Sequence, residues 1–351
     1  MKTLFLVSNL NNVGGIQRYC RDFLSALSES SSVSKVELKK SSPFWKIVFI
    51  ITACAAIFKN SPRLIVCAHI NFSPLCHFLR KVFGVEYIVL TYGIEVWNIK
   101  SSLKKKSLRS AQKIITISQF TKRKLTEQFP ELESKISIVS NAVDGAEFSI
   151  DSKPDDISRK LGVTGNKVVL TVCRLSAQET YKGYEKIIGI LPAIIKEIPD
   201  VKYVLAGSGN DSDHIRSMVH NLQLDKYVIM PGYVPDGELA SYYNLCDAFI
   251  MLSKSEGLGF VFLEALACGR PVIAGNQDGS REAVLNGEIG VLVDPDNDDE
   301  ITRAIVDVLK GNADQKFLNR EYLRNKVLEA YSVKTFKERV GMLLDLKTDR
   351  K

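Results

Sequence analysis

The feature that most restricts the fold of this sequence is a repeated alternation of short apolar runs with longer segments of helical periodicity. Short apolar runs bounded by Gly, Pro, Asn or Asp are typical of buried strands, and apolar residues every three or four positions are typical of helices. Strands are predicted at 3–8, 33–38, 64–68, 87–91, 114–117, 136–139, 168–173, 202–205, 227–230, 248–252 and 272–273. This alternation predicts an α/β protein with parallel, doubly wound sheets.

The alternation occurs twice, on either side of a polar stretch at 150–165 that contains Pro154, Gly162 and Gly165. That composition predicts an interdomain linker. A chain of 351 residues is long enough for two domains of ordinary size. We therefore expect one Rossmann-like domain at 1–155, a second at 156–330, and a helical C-terminal segment at 331–351.

One stretch, 253–271 with the sequence S-K-S-E-G-L-G-F-V-F-L-E-A-L-A-C-G-R-P, predicts a Gly-rich turn followed by a buried helix. The helix is apolar at every position except Glu264, and an ionised carboxylate in a core is costly unless it is paired or hydrogen-bonded. Glu264 therefore needs a partner, and two vicinal ribose hydroxyls would satisfy both of its oxygens. The N–H groups of residues 257–260 lie at the helix start, where a phosphate or a sugar hydroxyl can bind.

Further candidates follow directly on predicted strands of the first domain, because ligands of doubly wound sheets bind beyond the carboxyl ends of the strands. A Gly pair, Gly14 and Gly15, lies between the first strand and the first helix, where such folds bring the backbone close to a phosphate. It is not a G-x-G-x-x-G motif. The other candidates in this domain are His69, Tyr92, Gly93, Glu95, Ser118 and Asn141.

Charge is distributed unevenly along the chain. Residues 1–165 carry 24 Lys and Arg against 13 Asp and Glu, a net charge of +11, and the remainder carries 23 against 27, a net charge of −4. The strongest concentration is at 100–124, with nine basic residues and no acidic one. Two interpretations stay open: a solvated helix face, or contact with an anionic lipid surface. Nucleic acid is disfavoured, because aromatic residues are not interleaved with these charges.

The remaining composition favours a cytoplasmic protein. The seven Cys residues lie mostly in apolar runs, and no C-x-x-C or H-x-x-x-H pattern occurs, so buried reduced thiols are expected and neither disulfides nor zinc. The N-terminal apolar run is too short for a signal peptide. The most apolar window, 47–58, is shorter than the roughly 20 residues of a spanning helix, so a core helix is expected there.

Glu256 and Glu264 stand in E-G-L-G-F-V-F-L-E-A-L-A-C-G-R-P-V-I, which resembles the E-x7-E signature of retaining glycosyltransferases of family 4 with the GT-B fold. Nearly the whole chain carries the resemblance. It is densest at 170–295, and its other motifs are, in chain order, G-G-I-Q-R-Y, I-V-C-A-H, T-Y-G-I-E-V-W, I-S-Q-F-T-K, S-N-A-V-D, R-L with K-G, G-S-G, G-Y-V, D-G-S-x-E and G-V-L-V-D-P.

The resemblance implies two Rossmann-like domains that face a central cleft, with the acceptor on the first, the nucleotide-sugar donor on the second, and a last helix, 333–346, that crosses back to the first. Arg174 and Lys182 would contact the leaving diphosphate, and Glu256 a hydroxyl of the donor sugar. Glu264 would hold the ribose. The implied donor-binding residues are Gly14, Gly15, Gly207, Val234, Gly257, Leu258, Gly259, Phe260 and Glu264, and the acceptor-side candidates are His69, Tyr92, Glu95 and Asn141.

One position departs from the family pattern. Many relatives have His-Gly followed by an acid where this chain has Tyr92-Gly93-Ile94-Glu95. A tyrosine can donate a hydrogen bond, but with an ordinary pKa near 10 it is a poor base at neutral pH. Either the chemistry needs no base there or the activity is altered.

The sequence thus predicts a retaining, metal-independent glycosyltransferase without a cofactor, with a nucleotide sugar as substrate and a glycan or lipid-linked glycan as acceptor. The basic first domain suggests cell-surface polysaccharide, lipopolysaccharide or glycolipid assembly at the inner face of a membrane. Two alternatives stay open: a nucleotide-sugar-binding protein without transfer activity, and a GT-B nucleotide-sugar epimerase.

Overall fold

The computed structural model describes residues 1–12 and 14–345, with only the backbone of Asp345. The chain forms two compact units. The first comprises Met1–Ala142 together with the residues from Val333 onward, and the second comprises Val143–Ser332. The predicted end of the last helix, Leu346, lies outside the described residues.

Each unit contains one six-stranded sheet in which all paired strands are parallel. The strands are, in chain order, β1 (Lys2–Ser8), β2 (Ser32–Leu38), β3 (Leu64–Cys67), β4 (Glu86–Thr91), β5 (Lys113–Thr116), β6 (Ile136–Ile138), β7 (Lys167–Val172), β8 (Val201–Ala206), β9 (Val228–Gly232), β10 (Ala248–Met251), β11 (Val272–Gly275) and β12 (Val291–Val293). The predicted parallel, doubly wound architecture is confirmed.

Sixteen α-helices connect or cover these strands in the described part of the chain. They are α1 (Gly15–Ser30), α2 (Pro43–Asn60), α3 (Ser73–Phe83), α4 (Ile94–Trp97), α5 (Ser102–Ser110), α6 (Gln119–Gln128), α7 (Asp155–Lys160), α8 (Tyr184–Glu197), α9 (Ser212–Asn221), α10 (Asp236–Leu245), α11 (Phe260–Ala267), α12 (Ser280–Ala283), α13 (Asp298–Lys310), α14 (Gln315–Leu318), α15 (Arg320–Tyr331) and α16 (Val333–Asp345). Short 3₁₀ turns occur at Ile70–Phe72, Pro130–Lys135, Thr180–Lys182 and Leu285–Gly287.

The strand orders place one topological switch point in each sheet. The first sheet runs β2-β1-β3-β4-β5-β6, so the direction of winding changes between β1 and β3. The second runs β12-β11-β10-β7-β8-β9, and the change falls between β7 and β10. Ligands of open α/β sheets bind in the crevice beyond the carboxyl ends of the strands at such a point. The loops that follow β1, β3, β7 and β10 are therefore the places to look for a site.

Helices cover both faces of the sheets. In the first unit, apolar residues of α2, α3, α5 and α6 form one core with alternate strand residues such as Leu4 and Leu6. Phe5 points to the opposite face and packs near Phe23 of α1, which also contacts Phe336 of α16. In the second unit, α8, α9 and α13 share a core with β7, β8, β10 and β11. Successive strand side chains point to opposite faces of the sheet, and helix residues three or four positions apart share one side of the helix. These two patterns account for the helices packed on both faces of each sheet.

The predicted linker is largely part of the second unit. The units divide between Ala142 and Val143 instead of 155 and 156, and α7 occupies Asp155–Lys160 inside the stretch predicted to be a loop. Two arginine side chains hold the segment before it: Arg270 donates to the carbonyl oxygen of Asp151 at 3.3 Å and Arg324 to that of Phe148 at 2.6 Å. These partners are more than a hundred residues away in sequence, so local composition could not reveal them.

The expectation of a core helix at 47–58 is wrong. Helix α2 is the one described helix that is long and apolar enough to cross a membrane by length and composition, with a mean hydropathy of 1.3, yet only 17% of that window is buried. It buries Phe49, Ala53 and Ile57 and leaves its opposite side exposed. Helices α14 and α15 are separate, because Asn319 ends α14 and caps α15 through its side chain.

Two glycines of the second unit lie where no side chain fits. A Cβ on Gly207, whose φ is 146°, would be 1.8 Å from the Cys173 carbonyl oxygen, and one on Gly209 would be 1.8 Å from that of Leu175. The loops after β7 and β8 therefore approach at backbone contact distance. Gly209 was not among the predicted residues, although it belongs to the same G-S-G motif.

We predict that Gly209→Ala lowers the free energy of unfolding by more than about 2 kcal/mol, because the new methyl group forces one loop away from the other. Gly189→Ala is the matched control. It lies within α8, where a Cβ would meet nothing within 4 Å, so it should change stability by no more than about 1 kcal/mol, in the stabilising direction. Chemical denaturation measures both. Equal effects would contradict the close approach.

Candidate functional site

The loops that follow β7 and β10 meet at the switch point of the second sheet. The Lys254 N–H donates to the carbonyl oxygen of Tyr181 at 3.0 Å. Gly183 has a φ of 77°, and a Cβ on it would be 2.7 Å from the Leu252 carbonyl oxygen. The two loops therefore form one packed edge of the site.

An ion pair joins these two loops at the centre of the edge. The Lys182 Nζ lies 2.5 Å from the Glu256 Oε1, and the two side chains are only 13% and 18% exposed. Burial alone would lower the pKa of Lys182, but the adjacent Glu256 carboxylate outweighs it and raises the pKa above its ordinary value. Lys182 is therefore held charged in a largely dehydrated position, as an anion-binding group requires.

A turn after β11 holds the Glu256 backbone from both sides. The Glu256 N–H donates to the Asp278 Oδ2 at 2.5 Å, and the Gly279 N–H donates to the Glu256 carbonyl oxygen at 3.0 Å. Asp278 also accepts from the Ser280 N–H at 2.9 Å. Asp278 was missed as a site residue, although the D-G-S-x-E motif that contains it was visible in the sequence.

The Gly-rich turn leads from Glu256 into α11. Among the described residues, the N–H groups of Gly257, Leu258 and Gly259 donate to no protein acceptor. The Leu258 side chain is fully buried, and Gly259, with a φ of 92°, sits where a Cβ would be 2.6 Å from the Phe262 ring. This turn therefore offers its backbone N–H groups, and not its side chains, to a ligand. Phe260 is the first residue of α11.

Glu264 has a protein partner that the sequence did not reveal. Its side chain is 3% exposed on α11, and its Oε2 accepts a hydrogen bond from the Tyr243 hydroxyl of α10 at 2.6 Å. The expectation that a ribose would occupy both carboxylate oxygens needs this correction, because one oxygen already accepts from Tyr243. The tyrosine ring is fixed in turn by edge contacts with Phe148 and Phe249.

The remaining predicted residues of the second unit are at other points of the edge. Arg174 follows β7, but its side chain is 70% exposed and pairs with Glu179. The structure therefore brings Lys182 and Glu256 together and leaves Arg174 on the surface. Val234 is 6% exposed in the loop between β9 and α10.

In the first unit, three of the predicted side chains cluster at the ends of β3 and β4. The rings of His69 and Tyr92 are 6.3 Å apart between centroids. The Tyr92 hydroxyl donates to the Ala68 carbonyl oxygen at 2.6 Å and lies 3.2 Å from the Cys20 Sγ. The Glu95 Oε1 accepts from the Tyr92 N–H at 2.6 Å.

The protonation of this cluster excludes Tyr92 as a base. Burial raises the pKa of the Tyr92 hydroxyl well above its ordinary value, and the neighbouring Cys20 raises it further. Burial also raises the pKa of the Glu95 carboxyl. In contrast, burial and then Lys104 lower the pKa of His69 to about 4, so its ring is neutral and its Nδ1 accepts from the Asn71 N–H at 3.1 Å.

Asn141 and the Gly pair complete the first unit's candidates. Asn141 is 3% exposed, and its Oδ1 is a buried acceptor without a hydrogen-bond partner among the described residues. Such an atom is costly unless a ligand or water satisfies it. Gly14, with a φ of 150°, precedes α1, and Gly15 is the first residue of that helix.

One group of side chains in the described residues has the spacing of a metal site: Glu185, Asp211 and His214. The Asp211 Oδ2 already accepts from the Tyr184 hydroxyl at 2.7 Å, and the His214 Nε2 lies 3.4 Å from the Glu185 Oε1. His214 is exposed. The group is separate from the Lys182–Glu256 edge in its contacts, and we assign it no function.

The fold and these loops define an α/β protein whose second switch point carries a largely buried Lys182–Glu256 pair beside the N–H groups of residues 257–259. Residues 153–325 match the family described as glycosyl transferases group 1. That segment, just under half of the chain, is similar to this family, in agreement with the resemblance seen in the sequence.

Two curated relatives show how far the similarity extends. The GDP-mannose-dependent alpha-(1-6)-phosphatidylinositol monomannoside mannosyltransferase of Mycolicibacterium smegmatis is 29% identical over 244 residues, which are 66% of this chain and 62% of that protein. The alpha-monoglucosyldiacylglycerol synthase of Streptococcus pneumoniae is 25% identical over 280 residues, 78% of this chain and 58% of that protein. The match thus spans less than two thirds of each relative.

Two solved structures share the fold over nearly the whole chain. Anabaena HepE in complex with UDP has a TM-score of 0.81 at 19% identity and covers 98% of this chain and 100% of its own. Sucrose-phosphate synthase from Thermosynechococcus elongatus has a TM-score of 0.81 at 20% identity, with 99% of both chains covered. The GT-B fold predicted from the sequence is thereby confirmed.

We predict that Tyr243→Phe lowers the free energy of unfolding by about 1–3 kcal/mol, because it removes the hydrogen bond that the Tyr243 hydroxyl donates to a buried oxygen of Glu264. Tyr242→Phe is the matched control, since Tyr242 is the preceding residue and is also buried, but no hydrogen bond of its hydroxyl to a described residue is present. Thermal or urea unfolding of the two variants measures the difference. Equal stability of both would contradict the role of Tyr243 as the Glu264 partner.

We predict a pH-dependent effect of Asp278→Asn. Burial raises the pKa of Asp278 from 3.8 to about 6, against the opposing effect of hydrogen bonds from Ser280 and Glu256. The folded state therefore binds this proton more tightly than the unfolded chain, and the contribution of Asp278 to stability falls as the pH rises through this window, by about 3 kcal/mol in all.

The asparagine variant cannot titrate at this position. Its free energy of unfolding, relative to wild type, should therefore shift in its favour by about 2 kcal/mol between roughly pH 4 and pH 7. Urea denaturation at both pH values measures the shift. A difference between variant and wild type that stays constant with pH would contradict the elevated pKa.

Proposed function

We propose that this chain is a glycosyltransferase that moves a sugar from a nucleotide diphosphate sugar to a glycan or lipid-linked glycan, with retention at the anomeric carbon and without a metal ion. The observation that carries the proposal is the buried Lys182–Glu256 pair beside the N–H groups of residues 257–259. A fixed cation, a carboxylate and free backbone donors are what a diphosphate and a sugar need at one edge. The family match over residues 153–325 supports the same assignment.

In this proposal Lys182 stabilises the departing diphosphate. The bond from the anomeric carbon to the phosphate oxygen breaks, the acceptor oxygen bonds to that carbon, and the acceptor proton passes to the departing phosphate oxygen. Negative charge develops on the phosphate, and a positioned donor aimed at such charge contributes about 10²–10³ in rate. Arg174 would join Lys182 by leaving Glu179, which costs little because exposed ion pairs contribute only about 0–1 kcal/mol.

The donor sugar and nucleoside would be held by the groups around this pair. We assign Glu256 to a sugar hydroxyl and the turn at 257–260 to sugar and phosphate oxygens. Glu264, oriented by Tyr243, would accept from a ribose hydroxyl. Val234 would lie near the base, and Gly207, in the loop after β8 that packs against the loop after β7, would contact the donor through its backbone.

The reaction described above is a front-face reaction, in which the departing phosphate takes the acceptor proton, so it needs no protein base. This suits the side chains of the first unit. The Tyr92 hydroxyl is committed to the Ala68 carbonyl oxygen, and a neutral His69 accepts from the chain itself. We therefore assign His69, Tyr92, Glu95 and Asn141 to acceptor positioning. The partnerless Asn141 Oδ1 is the acceptor-side atom most in need of a ligand donor.

The charge of the first unit and the names of two relatives support a proposal for the acceptor class and the place of action. One relative is named for a lipid substrate, a phosphatidylinositol monomannoside, and another for a lipid product, monoglucosyldiacylglycerol. The basic run 100–124 lies in the first unit. We propose that the chain acts in cell-surface polysaccharide, lipopolysaccharide or glycolipid assembly, in the cytoplasm at the inner face of a membrane.

The donor is tested by thermal unfolding in the presence of UDP-, GDP-, ADP- and dTDP-sugars. A ligand at a hundred times its dissociation constant adds about 2.7 kcal/mol to stability, which gives a visible shift. One nucleotide class should shift wild type and the exposed control Glu238→Gln but not Glu264→Gln. No shift with any donor would overturn the proposed donor site.

Turnover with a glycan or lipid-linked acceptor separates the proposal from its two alternatives. The expected product keeps the anomeric configuration of the donor, as read by proton NMR, and forms in the presence of a chelator. Inversion or dependence on a divalent metal would contradict the mechanism. Donor binding without turnover, restored by Tyr92→His, would indicate a binding protein, and a free epimer would indicate an epimerase.

A further inference from the structure

Helix α2 carries two apolar faces on opposite sides. Phe49, Ala53 and Ile57 face the sheet and are at most 6% exposed. A second apolar row follows helical spacing on the other side and consists of Phe44, Ile47, Ile51, Ala55 and Phe58. The four large side chains of this row are 66%, 57%, 63% and 75% exposed. A helix that only covered a sheet would have polar residues on its outer side.

The adjacent helices extend this outer surface. Helix α3 contacts α2 through the rings of Phe83 and Phe58. Its Phe78 and Val82 side chains are 51% and 55% exposed. Helix α5 packs beside α3 and exposes Leu103 by 53%. We call the outer sides of these three helices the α2–α3–α5 face.

The charges on this face have one sign. The three helices contain no Asp or Glu and eight basic residues: Lys46, Lys59, Arg80, Lys81, Lys104, Lys105, Lys106 and Arg109. Arg80 and Arg109 pair with Glu86 and Glu131. The six lysines form no ion pair with a described residue.

We propose that the α2–α3–α5 face docks on an anionic lipid bilayer, with the outer row of α2 inserted among the headgroups and the lysines against the lipid phosphates. An apolar row and a basic cluster on one surface are the two signals that stable interfacial binding requires. The purpose of this contact rests on the proposed function: it would bring a lipid-linked acceptor to the first unit.

A lipid surface fits this face better than a second copy of the chain does. Self-association would bring two sets of unpaired lysines together, and the three helices have no acidic residue to offset them. Anionic lipid supplies the missing charge, with each basic residue contributing about fivefold in binding.

Helix α2 lies on the bilayer in this proposal and does not span it. It connects β2 to β3, two strands of one sheet separated only by β1, and its inner row is part of the core. Its 18 residues are also fewer than the roughly 20 that a spanning helix needs. Pulling α2 across a bilayer would break the sheet connection and expose the core.

The test is co-sedimentation of the full chain with vesicles of equal parts phosphatidylglycerol and phosphatidylcholine. Ile47→Glu with Ile51→Glu should weaken binding at least about tenfold, because two apolar side chains no longer insert. The matched control, Leu222→Glu with Met342→Glu, replaces two exposed apolar residues outside this face and adds the same two negative charges. It should bind like wild type. Equal binding of both pairs would overturn the proposal.

The electrostatic part has its own pair of variants. Lys105→Gln with Lys106→Gln should weaken binding about tenfold or more, whereas Lys196→Gln with Lys226→Gln, both exposed in the second unit, should not. Wild type should not sediment with phosphatidylcholine alone and should be released by high salt. Binding that resists high salt and carbonate would indicate a spanning helix and would contradict the proposal. A dimer that the Ile47 and Ile51 changes convert to a monomer, with vesicle binding unchanged, would indicate self-association and would also contradict it.

The Phe44→Trp substitution reports insertion directly, since Phe44 is 66% exposed on the outer row of α2. In a background of Trp45→Phe and Trp97→Phe, which removes the two natural tryptophans, its fluorescence should shift to the blue on vesicle binding and be quenched by brominated lipid. An unchanged spectrum in sedimented protein would contradict insertion of α2. Thermal shifts with nucleotide sugars on the same variants report the donor site separately, so failure of lipid docking and failure of the proposed function are distinguishable.

Discussion

The Lys182–Glu256 ion pair is the interaction on which the proposed chemistry depends. It is formed by two loops that are 74 residues apart in sequence and are brought together because β7 and β10 are neighbours. Removing one member of a buried pair leaves an uncompensated charge, whereas the intact pair keeps a cation ready in a poorly solvated position. The supporting contacts serve this pair: Gly183 lets the loops touch, and the Asp278 turn holds the Glu256 backbone.

The two units share one architecture but carry different chemical groups at their switch points. At its switch point the second unit presents a charged pair and backbone donors. The first unit presents a neutral histidine, a tyrosine whose hydroxyl is already bonded, and an asparagine oxygen that lacks a partner among the described residues. One set suits a diphosphate, and the other suits hydroxyl groups of an uncharged glycan. The outer side of the first unit adds an apolar and basic face, which suits lipid.

Sequence reasoning identified eleven of the twelve strands and the Gly-rich loops because their signals are local, and it missed β12. Motif spacing placed Glu256 and Glu264 on the loop and helix where the structure has them. It failed where partners are distant: nothing near Glu264 indicates Tyr243, and nothing near Asp151 indicates Arg270. It also failed at α2, because a run of apolar residues cannot show that one side of a helix is left uncovered.

A double-mutant cycle on Lys182→Gln and Glu256→Gln, read out as the affinity for the nucleotide sugar by calorimetry, tests the central claim most directly. If the pair acts as one unit at the donor site, each single change weakens binding strongly and the double change costs clearly less than the sum of the two. Additive effects would mean that the two residues act independently, and unchanged affinity in all three variants would mean that the donor does not bind at this switch point.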